Sequence, residues 1–496
     1  MINRKKIYRA ISALLISGSL FIMPYASAEV YNADGEYTAS KYEMLENAEQ
    51  RAINNAMRHA QEQIKIYIEN YSREKNLKLL DDEVIAIAEN VLKFVENPTI
   101  KKDSLEDGSI KISAAVKIEI DDADLEKYFK KSLSNRLQIK SRFESFRKSN
   151  EEQEKRIKEL EKQIAAGIST AQQEEYIKSQ FANEDKIFLS NKKVNEGWKM
   201  YSQGDYKKVF EIFDEAVNLN PNNAEAYAGR GTTYDDLKQY DAAIADYNKA
   251  IELGLNSSWI YNNRGVSYME GLKQYEKALA DYNKAIEIDQ NNVFAYSNIG
   301  FVYQELKQYD AAIAEYSKAI EIDPNYPLDY NERGIIYYDL KQYDKAIADF
   351  NKVIEIDPND ISALNNRGLV YHDLKQYDAA IADYSKAIEI NPNEAMSYNN
   401  LGWLYVEMKD YSKAIIECNK AVELAPNVSN FYDSRGWAYL GLKDYENAVK
   451  DFNKALELDP KMSYSYQGRG KCYQEMGETE KASADFAKAK ELGYTE

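Results

Sequence analysis

Residues 190–496 carry one hydrophobic and polar pattern many times over, with small and aromatic residues at fixed helical offsets and charged residues between them. A glycine recurs every 34 residues, with one interval of 35, at Gly197, Gly231, Gly265, Gly300, Gly334, Gly368, Gly402, Gly436 and Gly470. The longer interval contains an additional glycine, Gly271. The pattern predicts pairs of amphipathic helices that stack into an array, because one pair cannot bury its apolar face alone.

Each period has the same internal order, which we number so that the recurring glycine is position 8. In most repeats positions 11 and 24 are aromatic, positions 20 and 27 are alanine and position 32 is proline, as in Tyr371, Tyr384, Ala380, Ala387 and Pro392. The alanines let two helices approach closely, and the proline ends the second helix. We number the periods as repeats 1 to 9, which start at residues 190, 224, 258, 293, 327, 361, 395, 429 and 463.

This order resembles the tetratricopeptide repeat over residues 190–496, with repeat 1 (190–223) as a weak capping repeat. The resemblance implies a mainly all-α fold, a solenoid of stacked helix-turn-helix units. In some families of such repeats, asparagines at position 6 hold a peptide backbone. That role falls here on Asn263, Asn298, Asn366 and Asn400, although Gly229, Glu332, Ser434 and Gly468 interrupt the series. The alternative is that these asparagines belong only to the scaffold.

Helical spacing places positions 2, 5, 6, 9, 12 and 13 on one exposed surface formed by the first helix of each repeat. Position 9 is apolar in a row, and we expect its aromatic members Phe301, Trp403 and Trp437 to anchor a ligand, since tryptophan is enriched at binding hot spots. The alternative for such residues is packing between repeats. Position 13 is acidic in seven repeats, which predicts a negative rim.

Positions 7 and 23 change together among the repeats. Position 7 is arginine in six repeats, and in those six position 23 is aspartate: Arg230 and Asp246, Arg264 and Asp281, Arg333 and Asp349, Arg367 and Asp383, Arg435 and Asp451, Arg469 and Asp485. Where position 7 is Ile299 or Leu401, position 23 is glutamate. We therefore predict a contact between the two side chains that fixes helix register, within a repeat or between neighbours.

The residues before the repeats form three predicted segments. Residues 1–28 have a basic start, a short apolar run and the small-residue sequence Ala26-Ser27-Ala28, which is typical of a signal peptide. Residues 29–135 combine a strand-like start, a long alanine-rich helix, a second helix at about 82–94 and an alternating strand at 109–120, so they predict a small α+β domain. This domain resembles the N-terminal domain of the flagellar assembly protein T type, found in exported bacterial proteins.

Residues 136–189 are charged and predict a helical spacer or a short coiled coil. The apolar residues Phe143, Phe146, Ile157, Leu160 and Ile164 fit a heptad seam, but polar residues interrupt it. A coiled coil here would make the protein a homo-oligomer. The alternative is a spacer packed against the first repeat.

Charge and chemistry narrow the function. The chain has 64 Lys and Arg against 82 Asp and Glu, and without residues 1–28 the balance is 60 against 82, a net charge near −22. Nucleic acid is a poor partner for such a field, whereas basic or apolar protein segments suit it.

Neither histidine has a partner at catalytic or ligand spacing, and we expect no enzyme, cofactor or metal site. Cys418 and Cys472 lie more than one repeat apart and predict two packed thiols.

The sequence thus predicts an exported adaptor, periplasmic or extracellular, that binds a protein or peptide segment in the groove of its repeats within a bacterial envelope complex. The first alternative is a structural envelope component that assembles with itself through residues 136–189 and the ends of the array. A third interpretation, binding of a cell-wall glycan on the aromatic row, has weaker support.

Overall fold

The computed structural model describes residues 28–74, 93–121, 125, 151–168, 170–201 and 204–494. Except for Ala28, the predicted signal peptide lies outside the described residues. The chain divides into two units, residues 1–229 and 230–496, and each is described by itself below.

The first unit begins with an antiparallel sheet. Its strands are β1 (Ala28–Ala39), β2 (Lys93–Phe94), β3 (Thr99–Ser104) and β4 (Ile110–Asp121). β4 pairs along its whole length with β1, and with β2 and β3 in succession. The predicted alternation of β4 is confirmed, because one side of the strand is buried: Ile112, Ala114, Val116, Ile118 and Ile120.

Helix α1 (Leu45–Glu74) covers this sheet and is the predicted alanine-rich helix. It lies so close to β1 that a Cβ built on Gly35 would be 2.1 Å from the backbone nitrogen of Ala56, which explains the glycine. The Asn55 amide donates to the Glu36 carbonyl at 2.7 Å, and the His59 ring lies 2.6 Å from the Asp34 carbonyl of the same strand. Two helix side chains therefore cover part of the outer edge of β1.

Two strands of this domain, β2 and β3, were not predicted. The helix predicted at about 82–94 falls outside the described residues except for Lys93 and Phe94, which form β2. β3 was not predicted, because Ile100 is its only apolar residue and the adjacent Lys101 and Lys102 place a lysine on each face of the strand. Without alternating apolar residues, the pattern gives no strand signal.

The spacer forms two helices, α2 (residues 151–165) and α3 (Ala171–Tyr201). Ile157 and Leu160 of the predicted seam are buried against Ile177 and Phe181 of α3. The described part of the seam is thus occupied within the chain, by residues of the spacer itself and not of repeat 1. Residues 126–150 lie outside the described residues. α3 runs through the expected border at 189/190, so one helix serves both the spacer and repeat 1.

α3 is fastened to the sheet domain through polar contacts at the start of α1. The Asp185 carboxylate accepts hydrogen bonds from the Met44 backbone and from the Asn47 amide, both at 3.0 Å. Arg51 lies 3.0 Å from the Glu43 carboxylate and stacks on the Phe188 ring. The sheet domain and the first helix of repeat 1 are therefore joined by buried, specific contacts.

The repeats form the predicted helix pairs. After α3, the second helix of repeat 1 is α4 (Tyr206–Leu219). The first helices of repeats 2 to 9 are α5 (Ala224–Asp236), α7 (Ser258–Val266), α9 (Val293–Glu305), α11 (Pro327–Asp339), α13 (Ile361–Asp373), α15 (Ala395–Glu407), α17 (Ser429–Gly441) and α19 (Ser463–Glu475). Their second helices are α6 (Tyr240–Glu252), α8 (Tyr275–Ile288), α10 (Tyr309–Ile322), α12 (Tyr343–Ile356), α14 (Tyr377–Ile390), α16 (Tyr411–Leu424), α18 (Tyr445–Leu458) and α20 (Thr479–Glu491).

The additional residue of repeat 3 is absorbed by a π-helical turn, Ser267–Gly271, that continues α7. Such turns arise where one residue is inserted into an α-helix. A Cβ on Gly271 would lie 2.2 Å from the Tyr240 ring, so the inserted residue has no room for a side chain. The array keeps its stacking despite the longer period.

Contact between positions 8 and 24 sets the spacing of the two helices in each repeat. A Cβ on Gly368 would lie 2.6 Å from Cε1 of Tyr384, whose ring is fully buried. In repeat 7, where position 24 is Cys418, a Cβ on Gly402 would lie 2.5 Å from the sulfur. The glycine is therefore required by close packing.

The arginine of position 7 joins helices within and between repeats. Arg367 donates from Nε and Nη2 to the two Asp383 oxygens at 2.8 and 2.6 Å, and the same paired geometry recurs in all six repeats with this arginine. Nη1 of Arg367 donates to Asn351 at position 25 of the preceding repeat. Position 25 takes this bond in five repeats, through Asn248, Ser317, Asn351, Asn419 and Asn453. The co-variation of positions 7 and 23 thus corresponds to a contact, and position 25 was missed.

The junction between repeats 4 and 5 contains a buried carboxyl. Asp329, at position 3 of repeat 5, is fully buried, and its nearest hydroxyl, on Ser297, is already bonded to a backbone carbonyl. Burial raises the pKa of this carboxyl to about 7; Asp323 and Glu332 add to the rise, while Ser297 and Arg333 oppose it. Asp329 is therefore largely protonated in the folded protein at mildly acidic pH.

The Tyr384 hydroxyl gives a first prediction, because it is buried with no hydrogen-bond partner among the described residues. We expect Tyr384→Phe to raise the free energy of unfolding by about 1 kcal/mol, since an unsatisfied buried hydroxyl is removed. The matched control is Tyr316→Phe, which loses a bond to Gln304 and should lower it. Urea denaturation of both variants measures this, and equal effects would contradict it.

The Arg367 and Asp383 pair gives a second prediction. Their side chains are only 19% and 8% exposed, so a double-mutant cycle of Arg367→Leu and Asp383→Asn should show a coupling of about 1–3 kcal/mol. The control cycle uses Lys386 and Glu389 of the same repeat, which are 48% and 72% exposed and should couple by less than about 0.5 kcal/mol. Additive effects in both cycles would rule out the inferred role.

Asp329 gives a prediction of pH dependence. A carboxyl with a raised pKa in the folded state stabilises fully below its ordinary pKa near 4, and this contribution is lost as the pH rises through about 7. Between pH 5 and pH 8, wild type should therefore lose on the order of 2 kcal/mol of unfolding free energy relative to Asp329→Asn. Parallel pH profiles for the two proteins would refute this.

Candidate protein-binding surface

The first helices of neighbouring repeats contact one another from repeat 3 to repeat 9. Their positions 2, 5, 6, 9, 12 and 13 form what we call the first-helix surface. Because the helices touch, this surface is continuous along the second unit, and single residues from successive repeats form rows across it.

The asparagines of this surface divide into bonded and free members. The Asn298 amide donates to Asn262 of the preceding repeat at 2.9 Å, and the Asn366 amide donates to Asn331 at 3.1 Å. These two predicted peptide-binding residues therefore hold neighbouring first helices together. One of the two N–H donors of each amide is already used in the array.

Asn263 and Asn400 differ from that pair. Both are partly exposed, and neither makes a side-chain hydrogen bond with another described residue. Each can offer a donor and an acceptor to a ligand. Of the four asparagines predicted to bind a peptide, only these two have side chains that make no hydrogen bond with another described residue.

Positions 5 and 3 of successive repeats form buried polar pairs that were not predicted. The Asn365 amide donates to the Ser397 hydroxyl at 2.9 Å, and the Ser465 hydroxyl donates to Asp433 at 2.5 Å. Burial raises the pKa of Asp433 to about 6. In the sequence, short polar residues at helical spacing look like ordinary solvent-exposed positions. Only a comparison of position 5 in one repeat with position 3 in the next could have found these pairs.

The apolar row is exposed in its middle and buried at one end. Phe301, Leu328 and Met396 are 37%, 47% and 46% exposed. Trp403 is partly exposed. Trp259, which helical spacing had placed on the surface at position 2, is only 3% exposed. The exposed apolar contacts of this surface therefore lie mainly in repeats 4 to 7, with Tyr464 of repeat 9 also exposed.

Trp437 does not behave as a free anchor. Its indole stands edge-on to the Phe452 ring, with centroids 5.8 Å apart, and its Nε1 is buried. Lys471 of the next repeat lies over its outer face, 5.2 Å from the ring centroid. Of the predicted aromatic anchors, Phe301 and Trp403 remain available, while Trp437 packs within the array.

The acidic rim consists of the exposed position-13 residues Asp236, Glu270, Glu305, Asp339, Asp373, Glu407 and Glu475. Later members already have partners: Asp373 accepts from the Tyr338 hydroxyl at 3.0 Å, and Glu407 lies 2.9 Å from His372. In repeats 3 to 5, the described residues supply no hydrogen bond or cation to Glu270, Glu305 or Asp339. These three carboxylates face solvent.

On the second helices, most exposed glutamates have a lysine partner. Seven of these helices carry an exposed glutamate paired with a lysine three residues earlier: Glu252, Glu287, Glu355, Glu389, Glu423, Glu457 and Glu491. On the first-helix surface of repeats 2 to 9, the only Lys or Arg at the six positions is Lys471. The six positions of this surface are therefore acidic or neutral with that one exception, while exposed turn lysines two residues beyond the rim, such as Lys307 and Lys341, border it.

Reactive groups are not gathered at this surface. Cys418 and Cys472 are buried free thiols, as predicted, and burial raises the pKa of each to about 12. Among the described residues, no group of His, Cys, Asp and Glu is arranged to hold a metal ion. No described helix is long and apolar enough to cross a bilayer. The geometry supports binding by apolar contact, amide hydrogen bonds and negative charge.

Comparison with known families identifies the repeats. Family models described as tetratricopeptide repeat match residues 224–254, 293–326, 315–348, 361–394, 384–416, 434–462 and 463–492. A model described as TPR repeat matches residues 272–307 and 334–375. Each of these models describes a repeat and none a catalytic domain. Residues before 224 are not covered by these matches.

Curated relatives and solved structures match parts of the chain. The human protein "DnaJ homolog subfamily C member 7" is 34% identical over 82 residues, which are 16% of this chain and 17% of that protein. "Stress-induced-phosphoprotein 1" of Caenorhabditis elegans is 32% identical over 99 residues, 20% of this chain and 27% of that protein. These matches thus span less than a third of either relative.

Among solved structures, the chain is similar to one titled "Crystal structure of APC/C hetero-tetramer Cut9-Hcn1". The identity is 16%, the TM-score is 0.42, and the match covers 60% of this chain and 62% of the other. The family matches overlap the helix pairs described above, although several of them begin within a repeat. In the matched segments from residue 224 to residue 492, this chain consists of tetratricopeptide repeats.

Proposed function

We propose that this protein is an exported adaptor that binds a basic or apolar segment of a partner protein on its first-helix surface, within a bacterial cell-envelope complex. One observation carries the proposal: exposed apolar side chains in repeats 4 to 7 lie on the same surface as Glu270, Glu305 and Asp339, to which the described residues give no hydrogen bond or ion pair. Exposed apolar groups beside uncompensated charge are characteristic of an interaction surface.

Export and placement rest on the N-terminal residues. Residues 1–28 have the charge, length and small-residue ending of a signal peptide, so the protein acts in the periplasm or outside the cell. The sheet domain, with its resemblance to the flagellar assembly protein T type, supplies the envelope contact in this proposal. Its buried joint with α3 supports the idea that the domain positions the start of the repeats.

The alternative is self-assembly through residues 136–189 and the array ends. Inner repeats use apolar residues at positions 21 and 28 to pack on the next repeat, as Ile381 packs near Leu404. In repeat 9 these positions are Ser483 and Lys490, which give no apolar surface for stacking. The described part of the spacer seam is also occupied within the chain. Both observations favour the adaptor.

The test is affinity capture from an envelope extract with three baits built on residues 29–496. The first is unchanged, and the second carries Phe301→Ala, Trp403→Ala, Asn263→Ala and Asn400→Ala. These positions make none of the hydrogen bonds between repeats, so the array should remain folded. We expect a partner retained by the first bait to fall at least about tenfold on the second, since each lost anchor typically costs 1 kcal/mol or more.

The third bait is the matched control, Ile416→Ala with Glu321→Ala. Ile416 is 64% exposed and Glu321 is exposed, and both lie on second helices. This control should capture as the unchanged bait does. Equal capture by all three baits, or recovery of only the protein itself, would overturn the proposed surface, and the second result would support self-assembly.

A further inference from the structure

We infer that the junction between repeats 4 and 5 is a proton-dependent hinge, which stays closed while the Asp329 carboxyl carries its proton and opens when that proton is lost. Opening separates apolar side chains of the first-helix surface that lie on the two sides of the junction, and it weakens the binding of a partner that contacts both. The consequence for partner binding rests on the proposed function, whereas the hinge itself does not.

The carboxyl of Asp329 has no described donor from which to accept a hydrogen bond. It is fully buried, and neither of its oxygens bonds to another described residue. The nearest hydroxyl, on Ser297 of α9, donates its single proton to the Val293 carbonyl at 3.0 Å. That hydroxyl can only accept from Asp329, so a bond between the two side chains needs a proton on the carboxyl. The closed junction therefore suits the neutral acid and disfavours the carboxylate.

The junction between repeats 8 and 9 has the same pair with the roles exchanged. Its aspartate is at position 5 and its serine at position 3, and the Ser465 hydroxyl donates to Asp433 at 2.5 Å, a bond that survives when the carboxyl is ionised. Burial raises the pKa of Asp433 to about 6, and the Ser465 bond opposes that rise. Between repeats 6 and 7 the pair is uncharged, since Asn365 donates to Ser397. Of these three polar pairs, only that of repeats 4 and 5 needs a proton on a carboxyl.

Among the described residues around Asp329, no cation is free to pair with it. α9 contributes the uncharged Ser297. The titratable groups that face Asp329 from α10, from the loop before α11 and from α11 itself are Tyr316, Asp323, Tyr326, Glu332 and Arg333. Arg333 already bonds to Asp349 of α12 through Nε and Nη2 and to Ser317 through Nη1. Loss of the proton therefore adds a buried negative charge next to other acidic groups, and water must enter the junction to solvate it.

The first-helix surface spans this junction. Phe301 lies one helical turn after Ser297 on α9, and Leu328 is the residue before the buried carboxyl on α11. These two apolar side chains are 37% and 47% exposed. On the same surface, the Gln304 amide of repeat 4 donates to the Glu332 carboxylate of repeat 5 at 3.3 Å. A segment that contacts both apolar side chains needs the junction closed, because opening moves one helix away from the other.

Protonation sets the direction of the response to pH. Burial raises the pKa of Asp329 in the closed junction to about 7, and opening returns the carboxyl to water, where its ordinary pKa is near 4. Closing therefore takes up a proton. The stabilisation of the closed form is complete below about pH 4 and is lost as the pH rises through about 7, so the equilibrium constant for opening should rise on the order of a hundredfold between pH 5 and pH 8.

The test measures the width of the junction in residues 29–496 with pairs of spin labels on exposed positions of second helices. Glu287→Cys with Glu355→Cys places labels in repeats 3 and 5, and both natural side chains are 70% exposed. Glu389→Cys with Glu457→Cys places a control pair in repeats 6 and 8. The two natural cysteines are buried and should not react with the label. From pH 5 to pH 8, double electron–electron resonance should show a longer and broader distance for the first pair and no change for the control pair.

Three variants assign the response to Asp329. Asp329→Asn keeps the shape and supplies a donor at any pH, and Asp329→Ala introduces the residue that repeats 2, 4 and 6 carry at position 3. Both should hold the first label pair at its pH 5 distance when the pH is 8. Asp433→Asn is the matched control, which alters the aspartate of repeats 8 and 9 and should leave the response of the first pair unchanged. An equal distance at both pH values in the unchanged protein, or the same shift in Asp329→Asn, would overturn the hinge.

Capture at the two pH values tests the link to binding. The envelope extract is applied at pH 5 and at pH 8 to the unchanged bait and to a bait with Asp329→Asn. Because a partner that spans the junction binds only the closed form, the amount on the unchanged bait relative to the variant should fall at least about fivefold from pH 5 to pH 8. A constant ratio for a captured partner would overturn the link.

Failure of the hinge can be told apart from failure of the proposed function. If no partner is captured at either pH, the proposed function fails, and the distances between the spin labels still decide whether the hinge exists. If those distances do not respond to pH, the hinge is overturned, whatever the capture returns.

Discussion

The close approach of the two helices in each repeat is the constraint on which the rest of the array depends. At position 8 only a glycine leaves room for the buried side chain at position 24, as Gly368 does for Tyr384. This contact sets how far apart the helices lie, and it brings Arg367 within reach of both Asp383 and Asn351. Packing inside a repeat therefore also positions the arginine that bonds to the preceding repeat. In repeat 3, the π-helical turn accommodates the additional residue.

The same stacking decides which side chains are left for a partner. First helices that touch must satisfy the polar groups between them, so Asn298 and Asn366 bond to the preceding repeat. Residues one helical step away, such as Phe301 and Glu305, remain exposed. The binding surface is therefore the part of the first helices that stacking does not use. The rim carboxylates of repeats 3 to 5 make no ion pair with another described residue, whereas most glutamates near the ends of the second helices pair with a lysine.

Much of this architecture could be predicted from the sequence, because a 34-residue period constrains every repeat in the same way. The pairing of position 7 with position 23 was also accessible, since nine copies of one unit allow an internal comparison. The contacts of an individual side chain could not be predicted in this way. Trp403 and Trp437 share position 9, yet only Trp437 packs edge-on against Phe452. Periodicity assigns a residue to a face, whereas its exposure depends on neighbours in the adjacent repeat. β3 likewise depends on pairing with β4 that its own sequence does not signal.

The most direct measurement is site-specific photo-crosslinking in the native cell, with a photoreactive phenylalanine analogue placed at Phe301 in one variant and at Ile416 in another. Both side chains are exposed and apolar, but only Phe301 lies on the first-helix surface. We predict a partner protein crosslinked from residue 301, with a basic or apolar segment at the crosslinked site, and no such product from residue 416. Crosslinking of the same partner from residue 416 alone, or of the protein only to itself, would contradict the account.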